Sequence, residues 1–538
     1  MADHGHDAPR GRGLRRRALL SLGVRSAGAA AAASLADIAG LPAEAAAPAP
    51  AARRGGTLTI GTAQPVQTLD PHQSGLRNNR NAWMGLFSFL TLYNEQGFPK
   101  PSLADSWQVG SDGLTWTFKL RRGVKFHNGR ELSAADVKFS IERVLQMKPS
   151  SVYPYIKVVR RVDVADRYTA KIVLSQPYSI LASGLCPLAI IAPENADQVA
   201  TKPIGTGPFR LKEYNVGQNL DLERFPDYWE KGPGNVALPY LDGVAIRTLT
   251  DTNALFTALS TGTVQAFWQM PDQIQVQSAA VPEIQLVPSR FKTTHDEYFF
   301  QSDAAPFQDK NVRLALLLGL DKVAMAQVGY FGHADPRLNN NLMPPGSWAE
   351  RTDLPDIKRD PARAKQLFAA AGVTRLKFLG YTETPQFKSI SEVMERNLNE
   401  IGIQLDLVFT DLTTWFARIK LGNQSAAWDD GQDGNAFTPN ISVTPPDPGL
   451  SVATWGCHAH FGSHFCDEDL ANAAADGGKY LEIVKRKAAY DKYQQIWAND
   501  MPAFITCFRP FTHAALKKVH GIYDDDGALN YRYTWMDA

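Results

Sequence analysis

The segment Pro101 to Leu145, PSLADSWQVGSDGLTWTFKLRRGVKFHNGRELSAADVKFSIERVL, has little freedom in how it folds. Asp112-Gly113 and Asn128-Gly129 are turn dipeptides. After the first turn, Trp116, Phe118 and Leu120 alternate with Thr115, Thr117 and Lys119. That period of two predicts a strand with one buried face. Ser133 occupies a helix N-cap position, with Asp136 three residues on as a capping-box acid. Val137, Ile141, Val144 and Leu145 then recur at helical spacing. The segment reads hairpin, hairpin, helix, and it carries neither a metal cluster nor a phosphate loop.

The second half of the chain alternates helix and strand. Leu376 to Leu379 is a strand, Ser389 to Glu400 a helix stopped by Gly402, and Ile403, Leu405, Leu407 and Phe409 alternate in the next strand. Such a unit predicts a parallel pair in an α/β fold. Thr252 to Ser260 reads as a helix with Leu255, Phe256 and Leu259 on one face and Gly262 as its stop. Leu481 to Trp497 is a long helix, and Phe504 to Phe508 a returning strand. The formal net charge is +1, which argues against nucleic acid or anionic lipid as partner. No G-x-S-x-G, H-E-x-x-H or Walker motif occurs, so no enzyme class is indicated. A hydrolase using paired carboxylates such as Asp429 and Asp433 is the weaker alternative, because nothing specifies their geometry.

The N-terminus points to export. Arg15-Arg16 precedes an Ala/Leu-rich run that Arg25 and Asp37 interrupt. Ala43-Glu44-Ala45 and Ala49-Pro50-Ala51 are A-x-A cleavage candidates. Residues 1–52 are therefore read as a twin-arginine signal and an Ala/Pro-rich linker, with a periplasmic destination. The first cysteine is Cys186, so no lipid anchor is expected.

Four ordered segments carry a resemblance to a known family. They are GGTLTIGTAQPVQTLDPH from Gly55, the Pro101 to Leu145 segment, PIGTGPFRLKEY with RFPDYWE from Pro203, and APFQDKNVRLALLLGLDK from Ala305. Together they resemble the family 5 extracellular solute-binding proteins, the peptide- and nickel-type binding subunits of ABC importers. The resemblance covers about residues 55 to 520. It implies a periplasmic-binding-protein (Venus-flytrap) type II-like α/β fold, with two lobes and an extra small domain in lobe I. Lobe I is then 55–98, 202–292 and 505–538, the extra domain 99–201, and lobe II 293–504. The implied partners are a peptide or peptide-like small solute and the ABC permease subunits. The protein is expected to act as a monomer and without a cofactor. A non-peptide solute (an opine, metal chelate, haem or oligosaccharide) is the alternative ligand in the same fold.

The resemblance also directs attention to particular residues. Trp428 matches the family's tryptophan, but the aspartate that follows it in dipeptide binders is replaced here by Gly431, with Asp429, Asp430 and Asp433 nearby. At the helix start PQFKS, where dipeptide binders have an arginine, this chain has Lys388 or Ser389. Lysine holds a carboxylate as a point charge and not as a fork. Tyr381, Trp415 and Trp455 are candidate aromatic walls, and Asn78, with Asn79 and Arg80, is placed near the cleft by position alone. Cys457 and Cys466 correspond to a bridge that peptide-binding relatives often carry. Cys186 and Cys507 are read as buried thiols or a second bridge. His458, His460 and His464 between the bridged cysteines are read as a polar loop in preference to a metal site.

Overall fold

The computed structural model describes residues 52–73, 77–147, 150–419, 428, 433–452, 455, 457, 463–524 and 528–537. The expected export signal, Asp429, Asp430, His458 and His460 lie outside the described residues, as does the side chain of Asn78.

Two large sheets organise the chain. The first has seven strands in the order Ile284–Pro288, Thr512–Leu516, Ala266–Trp268, Thr57–Thr62, Gly243–Thr248, Asn219–Arg224 and Phe209–Asn215. Its central strand Thr57–Thr62 runs parallel to both neighbours. The second has six strands: Asp335–Pro336, Ala503–Arg509, Thr294–Phe300, Ala436–Val443, Arg375–Tyr381 and Gln404–Thr410. Arg375–Tyr381 is parallel to Gln404–Thr410, as the strand–helix–strand pattern predicts, with helix Gln386–Glu400 between them. Each sheet lies within its own apolar cluster, which is why the chain makes two lobes.

A third cluster fills a smaller antiparallel sheet of Ala104–Val109, Thr115–Leu120, Thr169–Leu174 and Val159–Asp166. Here the period-two reading holds: Trp116, Phe118 and Leu120 are buried while Lys119 is exposed. Helix Ala134–Gln146 covers this sheet with Val137, Ile141 and Val144. At its start the Ser133 N–H donates to Asp136 at 2.7 Å.

The chain passes between the large sheets twice. It leaves the first at Pro288 and enters the second at Thr294. It leaves the second at Arg509 and re-enters the first at Thr512. The return thus lies at residues 510–511 and not at 505. The run AFITCF contains no break signal, and Ala503–Arg509 pairs with Thr294–Phe300. Pro510, which has no N–H to donate, ends that ladder. The two crossings touch, with the Ser289 N–H donating to the Phe511 carbonyl at 2.5 Å.

The motifs that carried the resemblance turn out to be joints. In LDPH, Asp70 pairs with Arg143 of the small domain at 2.6 Å. His72 accepts from Arg143 at Nδ1 (3.0 Å) and donates from Nε2 to the Ala189 carbonyl at 2.8 Å. Burial pulls the His72 pKa down to about 4, which keeps the ring neutral in that role. In PIGTGPF, a Cβ on Gly205 would stand 2.0 Å from the Leu86 carbonyl, so only glycine permits the approach. In the PFQDKNVRLA segment, Arg313 donates to the Phe307 carbonyl at 2.6 Å and to the Asp500 carbonyl at 2.7 Å. It thereby satisfies the last turn of helix Ile483–Asp500.

Candidate ligand-binding site

In open sheets with parallel strands, ligands collect beyond the carboxyl ends of those strands. In the first sheet those ends are Thr62, Thr248 and Trp268. Thr512 lies at the same end, since the Met270 N–H donates to its carbonyl at 2.8 Å, and Pro288 pairs with it. In the second sheet the ends are Tyr381, Thr410 and Val443, with Thr294 paired to both Val443 and Arg509. The crossings Pro288 to Thr294 and Arg509 to Thr512 therefore join the two carboxyl edges. A ligand lying between the lobes would rest above them.

The expected site residues separate into three groups. Trp428, Trp455 and Tyr381 belong to the core of the second lobe. Trp428 is fully buried edge-on to Phe299 (5.9 Å), and its backbone N–H donates to Gln301 Oε1 at 3.0 Å. Trp455 packs edge-on against Trp497 at 4.9 Å. Tyr381 packs on Trp415 and Phe387 at the carboxyl end of its strand, and burial pushes its hydroxyl pKa up to about 12. Asp433 is completely buried and already neutralised, by Arg418 at 2.8 Å and Lys377 at 2.6 Å. A carboxylate so paired has little left to offer a ligand ammonium. Lys388 is exposed in the first turn of helix Gln386–Glu400, where its ammonium has no ion pair among the described residues.

Cys457 and Cys466 form a disulfide, with Cα atoms 4.2 Å apart. Cys186 and Cys507 are buried free thiols, one in the small domain and the other in the strand Ala503–Arg509. His464 Nδ1 lies 3.1 Å from Asp303 Oδ2.

The sequence reading missed a polar cluster at the second crossing. Asp296 is fully buried, and the Tyr330 hydroxyl donates to its Oδ2 at 2.5 Å. Burial pushes the Asp296 pKa up to about 6. The Arg509 guanidinium lies 4.5 Å from the Tyr330 ring centroid and within electrostatic reach of Asp296 and of Asp272 from the first lobe. One signal was available: His295, Asp296 and Glu297 stand consecutively in a strand whose seven residues are all buried. Ionisable groups are rarely placed in such a run without a task.

The lobes meet again at the small domain. Ser183 of the small domain donates to Asp447 Oδ2 at 2.8 Å, and Arg486 donates to Asp447 Oδ1 at 2.7 Å. The Ser179 N–H donates to the Gly478 carbonyl at 2.7 Å. An open pocket of about 380 Å³ lies elsewhere, on the small domain beside Arg121, Arg122 and Trp229. Arg121 there is already paired with Asp105 at 3.1 Å and stacked on Trp229, and the pocket is remote from both carboxyl edges. The crossings are the better candidate.

Comparison with known proteins identifies the family and the fold. The profile of the bacterial extracellular solute-binding proteins, family 5 (middle), matches residues 99–461. The glutathione-binding protein GsiB of Pectobacterium atrosepticum is 27% identical over 493 residues, covering 86% of this chain and 91% of the relative. Di/tripeptide-binding protein 1 of Pseudomonas aeruginosa is 27% identical over 496 residues, covering 83% and 88%. Among solved structures, the periplasmic binding protein DppA of Helicobacter pylori, in complex with the peptide STSA, superimposes with a TM-score of 0.74. It is 22% identical, over 90% of this chain and 99% of that one, which speaks to the fold alone. The chain belongs to the family 5 bacterial extracellular solute-binding proteins.

Proposed function

We propose that this protein is the periplasmic capture component of an ABC importer. It takes a peptide or peptide-like small solute between its lobes and presents the closed form to the permease. The observation that carries this reading is the pair of adjoining crossings beneath the carboxyl edges of both sheets. A ligand touching both edges favours the closed arrangement, because only there does it gain both sets of contacts. The peptide and glutathione specificities of similar proteins support the solute class. The protein works as a monomer and binds rather than converts its solute.

Native mass spectrometry of protein purified gently from periplasm, repeated after denaturation, tests the reading. A released small molecule is expected, and its mass identifies the class. No release, together with no thermal stabilisation by any peptide, opine or metal chelate, would overturn it. Export by the twin-arginine route is tested by R15K/R16K, which should leave the precursor in the cytoplasm; normal periplasmic recovery would refute that route.

A further inference from the structure

The cluster at the second crossing contains polar groups that the protein itself leaves unused. Arg509 Nε is buried without a hydrogen-bond partner, and no carboxylate lies within salt-bridge distance of that guanidinium among the described residues. Asp296 Oδ1, Thr294 Oγ1 and His333 Nε2 are likewise buried without a partner. Thr294 and Asp296 are two apart on one strand and so share a sheet face, and Arg509 pairs in register with Thr294. His333 follows Tyr330 and donates its backbone N–H to the Tyr330 carbonyl at 2.8 Å. The first lobe adds Asp272, which opens helix Asp272–Ala279 just beyond the carboxyl end of strand Ala266–Trp268. Gln275 donates to Asp272 Oδ1 at 3.2 Å. A dry, unpaired polar group forfeits the hydrogen bonds water would give it, so four at one place call for a polar occupant.

Charge narrows that occupant. Arg509 is the one permanent cation among these residues, facing two carboxylates, Asp272 and Asp296. A purely anionic guest would leave the site more negative, while a purely cationic guest would leave the arginine fork unfilled. A guest bearing both groups satisfies both walls. Met270, two residues before Asp272, donates its N–H at 2.8 Å to the carbonyl of Thr512, three residues after Arg509, so the two walls stand close and the guest's amino and carboxyl groups must also lie close together. We propose that Arg509 of lobe II and Asp272 of lobe I form the ligand's polar anchor, holding respectively the carboxylate and the ammonium of an α-amino-acid-type head group. The proposal rests on the solute-binding reading above. It selects free amino acids and γ-glutamyl compounds, whose amino and carboxyl groups share one carbon, over linear peptides, which separate them.

Isothermal titration calorimetry on the mature protein, freed of endogenous solute, tests this with L-glutamate, glutathione and the linear tripeptide Ala-Gly-Gly. At least one of the first two should bind about tenfold or more tightly than the tripeptide. R509Q and D272N should each weaken that probe by about tenfold or more, and R509K should recover part of the loss. D272N changes a half-buried residue at a helix start and keeps the test available if R509Q fails to fold. Tripeptide binding equal to or tighter than both, or wild-type affinity in folded R509Q or D272N, would overturn the anchor. Binding of none of the three at millimolar concentration would overturn it too, leaving ordered water as the occupant. A protein that releases a native solute by mass spectrometry yet is indifferent to these substitutions keeps its solute-binding role and loses only this anchor.

Discussion

Removing a single hydroxyl where the small domain meets the second lobe should change how the lobes open. Ser183 lies in the small domain and Asp447 in the second lobe, and both are buried where they meet. The Ser183 hydroxyl donates at 2.8 Å to a carboxylate that also receives Arg486. A hydrogen bond to a charged group is worth about 1.5–3 kcal/mol. In S183A the Asp447 carboxylate keeps Arg486 and the Gly449 N–H, so neither lobe is left with an unpaired buried charge. The loss therefore falls on the contact between lobes and not on the folding of either. At about 1.4 kcal/mol per factor of ten, the closed-to-open ratio should fall about ten- to a hundredfold. Single-molecule energy transfer between dyes on cysteines introduced at exposed Ser111 and Val484 reads that ratio. The native thiols do not compete, since Cys186 and Cys507 are buried and Cys457 is bridged to Cys466. An unchanged distribution in S183A, at unchanged melting temperature, would show that this contact does not hold the lobes together.

Two further outcomes follow from the packing. W428A should destabilise the second lobe by about 3–5 kcal/mol, because it empties a fully buried site against Phe299; denaturant unfolding measures this, and a stable variant with weakened ligand binding alone would refute it. His72 should make the protein acid-labile. Its folded pKa of about 4 lies below the ordinary 6.5, so the unfolded chain takes up the proton first. The stabilisation is complete above about pH 6.5 and is lost progressively as pH falls towards 4, by up to about 3 kcal/mol. Unfolding titrations across that range should show a shallower slope in H72Q, and an equal slope would remove His72 as the cause.

How much the sequence revealed depended on what each residue was for. Trp116, Phe118 and Leu120 were legible because a strand with one wet face writes its period into the chain. Ser133 with Asp136 marked the start of helix Ala134–Gln146 because an orphan N–H there needs an acceptor, which the Asp136 carboxylate supplies to Ser133. The return crossing was misplaced because a buried strand has no period, and only Pro510 marks its end. Trp428 and Asp433 were assigned to the ligand by resemblance, but the structure spends Trp428 on the core and Asp433 on Arg418 and Lys377. Burial and pairing depend on residues 15 or more positions away, which no local pattern encodes.

That division also explains why the family was easy to recognise and the ligand was not. Asp70 with Arg143, Gly205 against Leu86, and Arg313 on the last turn of helix Ile483–Asp500 each fix one element to another. Each is spent on a partner within the scaffold, so they can stay the same while the solute changes. The groups at the crossings are under a different constraint. Asp272 and Arg509 come from opposite lobes and reach the same crossing only when the chain is folded. Their separation in sequence forms no motif, and changing either need not disturb the scaffold. A fold that anchors its lobes with fixed joints and leaves the floor between them free can exchange ligands by altering a few such residues, so specificity has to be read from the unsatisfied atoms there.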